Sequence, residues 1–410
     1  MRGISCQQIM DAAHQQRTLA TARLYDQPAT TLQRLFEILP KDGQCKYQLG
    51  SNLDLHSREF MCPQCQHMNR LVDVKTMGLG RPFRLIDSRP CVLMKIGPAH
   101  ATGVNEGVTS LLVKALGKEA IISSEALTHS VSIQWLLDDY LTRQGLPHIQ
   151  KLHTAFICGD SGYGLYESPD LGSFSSFQDD AKIASATARA DLRAPLSALV
   201  ARSLVVQLLA TLHALSPLKF THGQSGVGAL LFSRDAADYA YDGYRVRGPM
   251  TLKMSCLGQT SCLIPTKNVR MCCLKPEDMC CLENLPCNYN FGSGVGVYHL
   301  NKVMTGILIA LHHAGVPMFG SSFDAYVFMT GLMSELTFYT TVQQNIELKQ
   351  LWQAMWVPEE LAGLDRRLQE IHNRTEMRPL TTEQVARLFR GMTLQVEIVS
   401  KLWSLIKTWT

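Results

Sequence analysis

The chain has 410 residues, 46% of them apolar and 18% charged, and a formal net charge of +4. That balance fits a globular protein with a sizeable core. It argues against a nucleic-acid binder, because the Lys and Arg residues are scattered rather than gathered into a basic tract. The 13 cysteines, an odd number, accompany a polar stretch over 1–30 with no apolar secretion signal, which predicts a chain that is not secreted and keeps mostly reduced thiols.

In chain order, residues 5–38 read as helical, with Leu24, Leu32, Leu35 and Phe36 at apolar positions. Residues 40–70 read as loop and hold Cys45, His56, Cys62, Cys65 and His67. The Cys62-Pro63-Gln64-Cys65 spacing suits one edge of a zinc site that Cys45, His56 or His67 would complete, and buried free thiols are the alternative. Gly78-Leu79-Gly80 is either a plain turn or the remnant of a glycine-rich phosphate loop. Cys91–Ile96 has strand length and composition, whereas Val104–Ala120 and Ser130–Gln144 show helical spacing.

A second strand over Ala155–Cys158 precedes Gly164-Leu165-Tyr166-Glu167, and the polar stretch Gly172–Lys182 reads as an exposed connection. A helix is expected from Pro195 to Leu215, with Leu204, Leu208 and Leu212 on one side and Ser216-Pro217 as its stop. A strand is expected over Val246–Met254. Cys272, Cys273, Cys280, Cys281 and Cys287 form a second cysteine cluster, inert or able to hold a structural metal or redox clip. The apolar run Val303–Leu311 is too short to span a bilayer and predicts a buried helix rather than a transmembrane segment. Beyond Gly296 the chain reads as helical, and Thr381-Thr382-Glu383-Gln384 is a capping box for a last helix.

The most informative stretch is Phe220-Thr221-His222-Gly223-Gln224-Ser225-Gly226-Val227-Gly228-Ala229 and the apolar run that follows. Protein-kinase catalytic loops run His-x-Asp, four residues, then Asn; the Asp handles the acceptor hydroxyl and the Asn holds magnesium. Here Gln224 stands at the Asp position and Ala229 at the Asn position. Further on, Gly248–Met254 leads into Ser255-Cys256-Leu257-Gly258, where Cys256 replaces the magnesium-binding Asp of an Asp-Phe-Gly motif. An amide is no base, a methyl binds no metal, and a neutral thiol is a poor ligand for a hard cation.

With Lys95 in Val92-Leu93-Met94-Lys95-Ile96, and Asp324 in Ser322–Met333, these segments resemble the divergent serine/threonine protein kinases of large eukaryotic DNA viruses. The resemblance spans about residues 84–360 and rests on motifs rather than continuous similarity. It implies an α+β, bilobal kinase-like fold: an N-terminal helical, cysteine-containing extension over 1–82, a small lobe over 83–172 and a helical large lobe over 173–410. Lys95 would grip nucleotide phosphates, with Glu106 as its partner on the following helix and Glu119 and Glu125 as nearby alternatives. Glu167 would lie in the hinge beside an adenine ring, and Asp324 would fasten the catalytic loop. Trp352 and Trp356 fit the large lobe.

The pattern of loss implies a pseudokinase, since scaffold residues are kept while proton and magnesium groups are replaced. Removing one group that stabilises transition-state charge commonly costs about 10²–10³ in rate. No catalytic residue is therefore expected, and ATP would bind without magnesium if it binds at all. The expected role is a scaffold, regulator or virion component with viral or host protein partners, in host cytoplasm or virion. Two alternatives stand beside it. One is an unorthodox active kinase recruiting Asp87, Glu167, Asp170, Asp235 or Asp238 for magnesium; the other is a purely structural virion protein.

Overall fold

The helix Ala198–Leu215 organises the molecule. Ser197 caps it, its Oγ accepting the Val200 N–H at 3.3 Å, and Ala201 and Ser203–Leu212 are buried. A helix that is apolar all round belongs in a core. It is long and apolar enough to cross a membrane, but 72% of its most apolar window is buried inside the protein. Ser216-Pro217-Leu218 ends it in a 3-10 turn, and Lys219 takes a left-handed conformation with φ 45°.

The computed structural model describes residues 6–28, 30–32, 35, 39, 41–42, 59–61, 68–70, 82–84, 90–98, 112–116, 119–124, 126–158, 161–167, 169, 171–174, 197–222, 226–255, 257–265, 267, 269–273, 321–373, 380, 382–389, 392–395 and 397–409. Their architecture is α+β, with small, mostly antiparallel sheets and a helical C-terminal part. Helices are α1 (Cys6–Asp26), α2 (Ala126–Thr142), α3 (Ala198–Leu215), α4 (Ser321–Met333), α5 (Leu336–Gln344), α6 (Ile346–Ala354), α7 (Pro358–His372), α8 (Thr382–Leu388) and α9 (Ile398–Ile406). Strands are β1 (Lys41–Asp42), β2 (Glu59–Met61), β3 (Met68–Arg70), β4 (Pro82–Arg84), β5 (Pro90–Pro98), β6 (Leu112–Leu116), β7 (Glu119–Ser124), β8 (Leu152–Cys158), β9 (Ser161–Glu167), β10 (Gly172–Ser173), β11 (Leu230–Ser233), β12 (Ala237–Tyr241), β13 (Tyr244–Gly248), β14 (Thr251–Met254), β15 (Cys262–Leu263) and β16 (Val269–Cys273).

The largest sheet has the order β1-β8-β9-β5-β4, antiparallel except where β1 joins β8. Lys95 sits on β5 opposite Tyr163 of β9. Helix α2 packs beneath this sheet by residues one turn apart, with Leu127, Val131 and Trp135 meeting Leu152, Ala155, Ile157 and Tyr166. A Cβ at Gly162 would lie 2.4 Å from Leu127 Cδ1, so glycine there lets the helix approach. The other core cluster is continuous from Leu24 of α1, through α2, α3 and α4, to Trp403 of α9.

The helical expectation for Val104–Ala120 is overturned from Leu112 onward, while 104–111 lie outside the described residues. Leu112–Leu116 and Glu119–Ser124 pair as antiparallel strands, and β16 adds to β7 in parallel. Gly117 divides the run, and β-branched Val113, Ile121 and Ile122 favour the pleated surface that β16 completes. The single strand expected over Val246–Met254 is two strands, parted at Pro249, which has no N–H to give a ladder. Strands β12 and β13 form a hairpin turning at Asp242-Gly243, with φ 47° and 77°. Two positive φ values in a two-residue loop match the right-handed twist of the strands.

Short strands at 41–42, 59–61 and 68–70 lie within the stretch read as loop. The capping-box helix is α8, and it is followed by α9 rather than being last. The run 303–311 and the cysteines from 280 onward lie outside the described residues.

Candidate functional site

The described part of the site is built on the segment Phe220–His222 and the strands around it. Strands β11 and β14 pair from Leu230↔Met254 to Ser233↔Thr251, with β10 on the other side of β11. Gln207 of α3 clamps β14 from below, its Oε1 accepting the Leu252 N–H at 2.8 Å and its Nε2 donating to Met250 O at 2.9 Å. Beyond β14, the Ser255 N–H and Oγ both donate to Ala229 O, at 2.9 and 3.0 Å.

His222 is the centre of this arrangement. Its backbone N–H donates to Asp324 Oδ2 of α4 at 2.8 Å, and its Nε2 bonds the carbonyl of Ser255 at 2.8 Å. Because a carbonyl only accepts, Nε2 carries the proton. Burial pushes the imidazole down to about 4, which the Ser255 carbonyl only partly offsets. The ring packs edge-on against Phe220 and Phe328. Thr260 Oγ1 donates to His222 O at 3.1 Å, and Thr221 and Ser261 exchange two backbone hydrogen bonds of 2.9 Å. Thr260 O is in turn held by Nε2 of His129 on α2, at 2.7 Å. Burial likewise drives His129 down to about 4.

Ala229 is buried in the 3-10 turn Val227–Ala229, its methyl standing where the motif would hold an amide. Among the described residues, no three of His, Cys, Asp and Glu are close enough together to hold a metal ion. Gln224 and Cys256 lie outside the described residues, as do Glu106, Asp87, Asp170, Cys45, His56, Cys62, Cys65 and His67. Glu106 precedes the hairpin β6–β7 in the chain, whereas the helix packed beneath the Lys95 sheet is α2. Of the acids considered for an alternative magnesium site, Asp235 is exposed, and Asp238 is bound by Arg245 Nε at 2.7 Å and Nη2 at 2.9 Å on the outer hairpin.

Glu167, expected beside an adenine ring, is tied to its neighbours by its backbone and by one carboxylate oxygen. Its N–H donates to Lys151 O at 2.8 Å and its carbonyl accepts from Gln150 Nε2 at 2.9 Å. Its carboxylate accepts the Lys151 N–H at 2.9 Å and pairs with Lys253 Nζ at 3.2 Å. Among the described residues that follow, Leu171 N–H donates to Phe232 O and Gly172 N–H to Pro169 O.

The stretch His148–Gln150, just before β8, is tied to β14. Met254 N–H donates to His148 O at 2.7 Å, Gln150 N–H donates to Met254 O at 2.9 Å, and His148 Nδ1 bonds Leu252 O at 2.8 Å. Sequence reasoning missed His129, His148, Gln207 and Lys253. Each acts on a backbone group or an isolated partner, and no spacing pattern announces that. The arrangement ties Thr221 and His222 to Asp324, Ser255, Thr260 and Ser261 by hydrogen bonds. No protein-family model matches the chain, and no curated protein matches it in sequence.

Proposed function

We propose that this chain is a catalytically degenerate, bilobal protein-kinase-like protein of the kind encoded by large eukaryotic DNA viruses. In this reading it is a pseudokinase working as a scaffold, regulator or virion component through viral or host protein partners. The observation that carries the reading is the contact between His222 and Asp324. A buried acid on a core helix fastens the backbone of the loop, while the neighbouring position reserved for a metal-binding amide is the buried methyl of Ala229. The catalytic-loop frame is thus kept for its own sake. In an active kinase the same frame positions a base and two magnesium sites.

The arrangement at Glu167 supports the same reading. The Glu167 N–H, carbonyl and Oε1 are engaged by Lys151, Gln150 and Lys253, which leaves that residue less suited to adenine recognition. Lys95 remains the residue that would meet phosphates.

A thermal-shift titration with ATP, with and without magnesium, tests the proposal. A ligand that binds only the folded state raises its apparent stability by RT ln(1 + [L]/Kd). The expected result is little or no shift, with no dependence on magnesium, and loss of any residual shift in Lys95→Ala. Magnesium-dependent stabilisation, together with transfer of labelled phosphate that Lys95→Ala abolishes, would overturn it in favour of an active kinase.

A further inference from the structure

We propose that α1 is an intramolecular brace that fixes the position of α2, a task that falls in active kinases to an ion pair between the strand lysine and a helix glutamate. The comparison with kinases rests on the reading above; the brace itself rests on contacts alone.

From Ala126 to Thr142 helix α2 contains no glutamate; Glu125, one residue before it, lies outside the described residues. The acids of α2 are Asp138 and Asp139, and α1 engages both. Arg17 Nη1 lies 3.4 Å from Asp138 Oδ2 and 3.3 Å from Leu152 O, so it joins α2 to β8. The two side chains are only 14% and 18% exposed, which shields the pair from solvent screening. Tyr25 Oη donates to Asp139 Oδ2 at 2.9 Å, and Arg143 closes the group by pairing with Asp139 at 2.9 Å while its guanidinium lies over the Tyr25 ring. Between these anchors, Ala20 packs into the cluster of Val131 and Trp135, and Leu24 into the core that holds Leu136. At the end of α1, Asp26 reaches Lys267 at 3.8 Å, just before β16.

What α1 holds is then passed inward. His129 of α2 bonds Thr260 O, and Thr260 bonds His222 O. Ser130 lies close enough to Gly258 that a Cβ there would sit 3.0 Å from its Oγ. A partner that displaced α1 would therefore loosen α2 and, through it, residues 257–261.

Hydrogen–deuterium exchange on the full chain tests this by comparing wild type, Arg17→Met/Tyr25→Phe and Lys95→Met. Removing hydrogen bonds to charged groups should speed exchange across 126–142 by roughly tenfold or more in the double variant. Helix α4 should stay protected, and Lys95→Met should leave α2 as it was. Unchanged exchange in α2 of the double variant, or equal loosening by Lys95→Met, would overturn the brace. If α4 also loses protection in the double variant, Tyr25→Phe alone decides: faster exchange confined to α2 supports the brace, and no change refutes it. None of these readings involves nucleotide. Magnesium-dependent ATP binding alongside a loosened α2 would sink the pseudokinase reading and leave the brace standing.

Discussion

The backbone N–H of His222 donates to Asp324 at 2.8 Å across 102 residues of sequence, and both residues are fully buried. A backbone donor facing a buried carboxylate forms a charge-assisted bond, and losing the acceptor leaves that donor unpaired in the core. Asp324→Ala is expected to cost about 2–3 kcal/mol, read as a lower urea midpoint. Asp324→Asn keeps an oxygen without the charge and should fall between the two. A midpoint unchanged by Asp324→Ala would mean the contact does not hold the loop.

Three fully buried imidazoles, His129, His148 and His222, are each pushed down to about 4 by burial. Their ordinary value is about 6.5. Between those values the unfolded chain binds protons that the folded chain refuses, so stability is full above about pH 6.5 and falls as pH drops toward 4. Each histidine contributes a slope of up to about 1.4 kcal/mol per pH unit in that window. The partly buried His213 and His372 are lowered as well and add to the fall, while Asp138 and Asp365, raised by burial, offset part of it. Urea midpoints at pH 7, 6 and 5 should decline, and His222→Gln should flatten that decline whatever its effect at pH 7. An equal slope in the variant would show that His222 is not buried neutral.

How much of this was legible depended on whether the information was local. Helix α3 is written in its own residues, with Leu204, Leu208 and Leu212 on one side and a Pro-containing stop, and it runs from Ala198 to Leu215 where Pro195–Leu215 is expected. Strand β5 is similarly self-contained. The region 104–120 is not, because the parallel partner of β7 is β16, which follows about 150 residues later. At the site, His222 and Asp324 are visible as a motif, since fixed residue types do a fixed job. The carbonyls of Ser255 and Thr260 are invisible, because every residue carries one. Arg17 and Tyr25 belong to no pattern until α1 is laid against α2.

Lys253 and Glu167 form an ion pair at 3.2 Å with each side chain only 15% exposed, linking β14 to the end of β9. Breaking one half of such a pair is worse than removing both, since the survivor keeps its desolvation penalty without its partner. Lys253→Met is expected to cost about 1–3 kcal/mol, between the cost for an exposed pair and that for a fully buried one. Lys253→Met/Glu167→Gln should recover part of that, because Gln can still accept the Lys151 N–H. A double variant less stable than Lys253→Met would show that the carboxylate serves the fold by a route other than this pair.

Installing the residues of the kinase pattern is the most demanding test of the proposal. Gln224→Asp, Ala229→Asn and Cys256→Asp together would return a base and two magnesium ligands to the sequence positions that the kinase pattern reserves for them. Ala229 is buried, and its carbonyl already accepts both the N–H and the Oγ of Ser255. An Asn there introduces a polar group that costs about 1–3 kcal/mol while it lacks a partner. The triple variant should therefore melt lower than wild type without metal. Adding magnesium and ATP should then raise its melting temperature, because the ion supplies the missing partner and binding stabilises the folded state. Wild type should show no such magnesium dependence. A folded triple variant that ignores magnesium in the presence of ATP would mean that Gln224, Ala229 and Cys256 do not converge on one nucleotide site, and the kinase-like reading would fall with it.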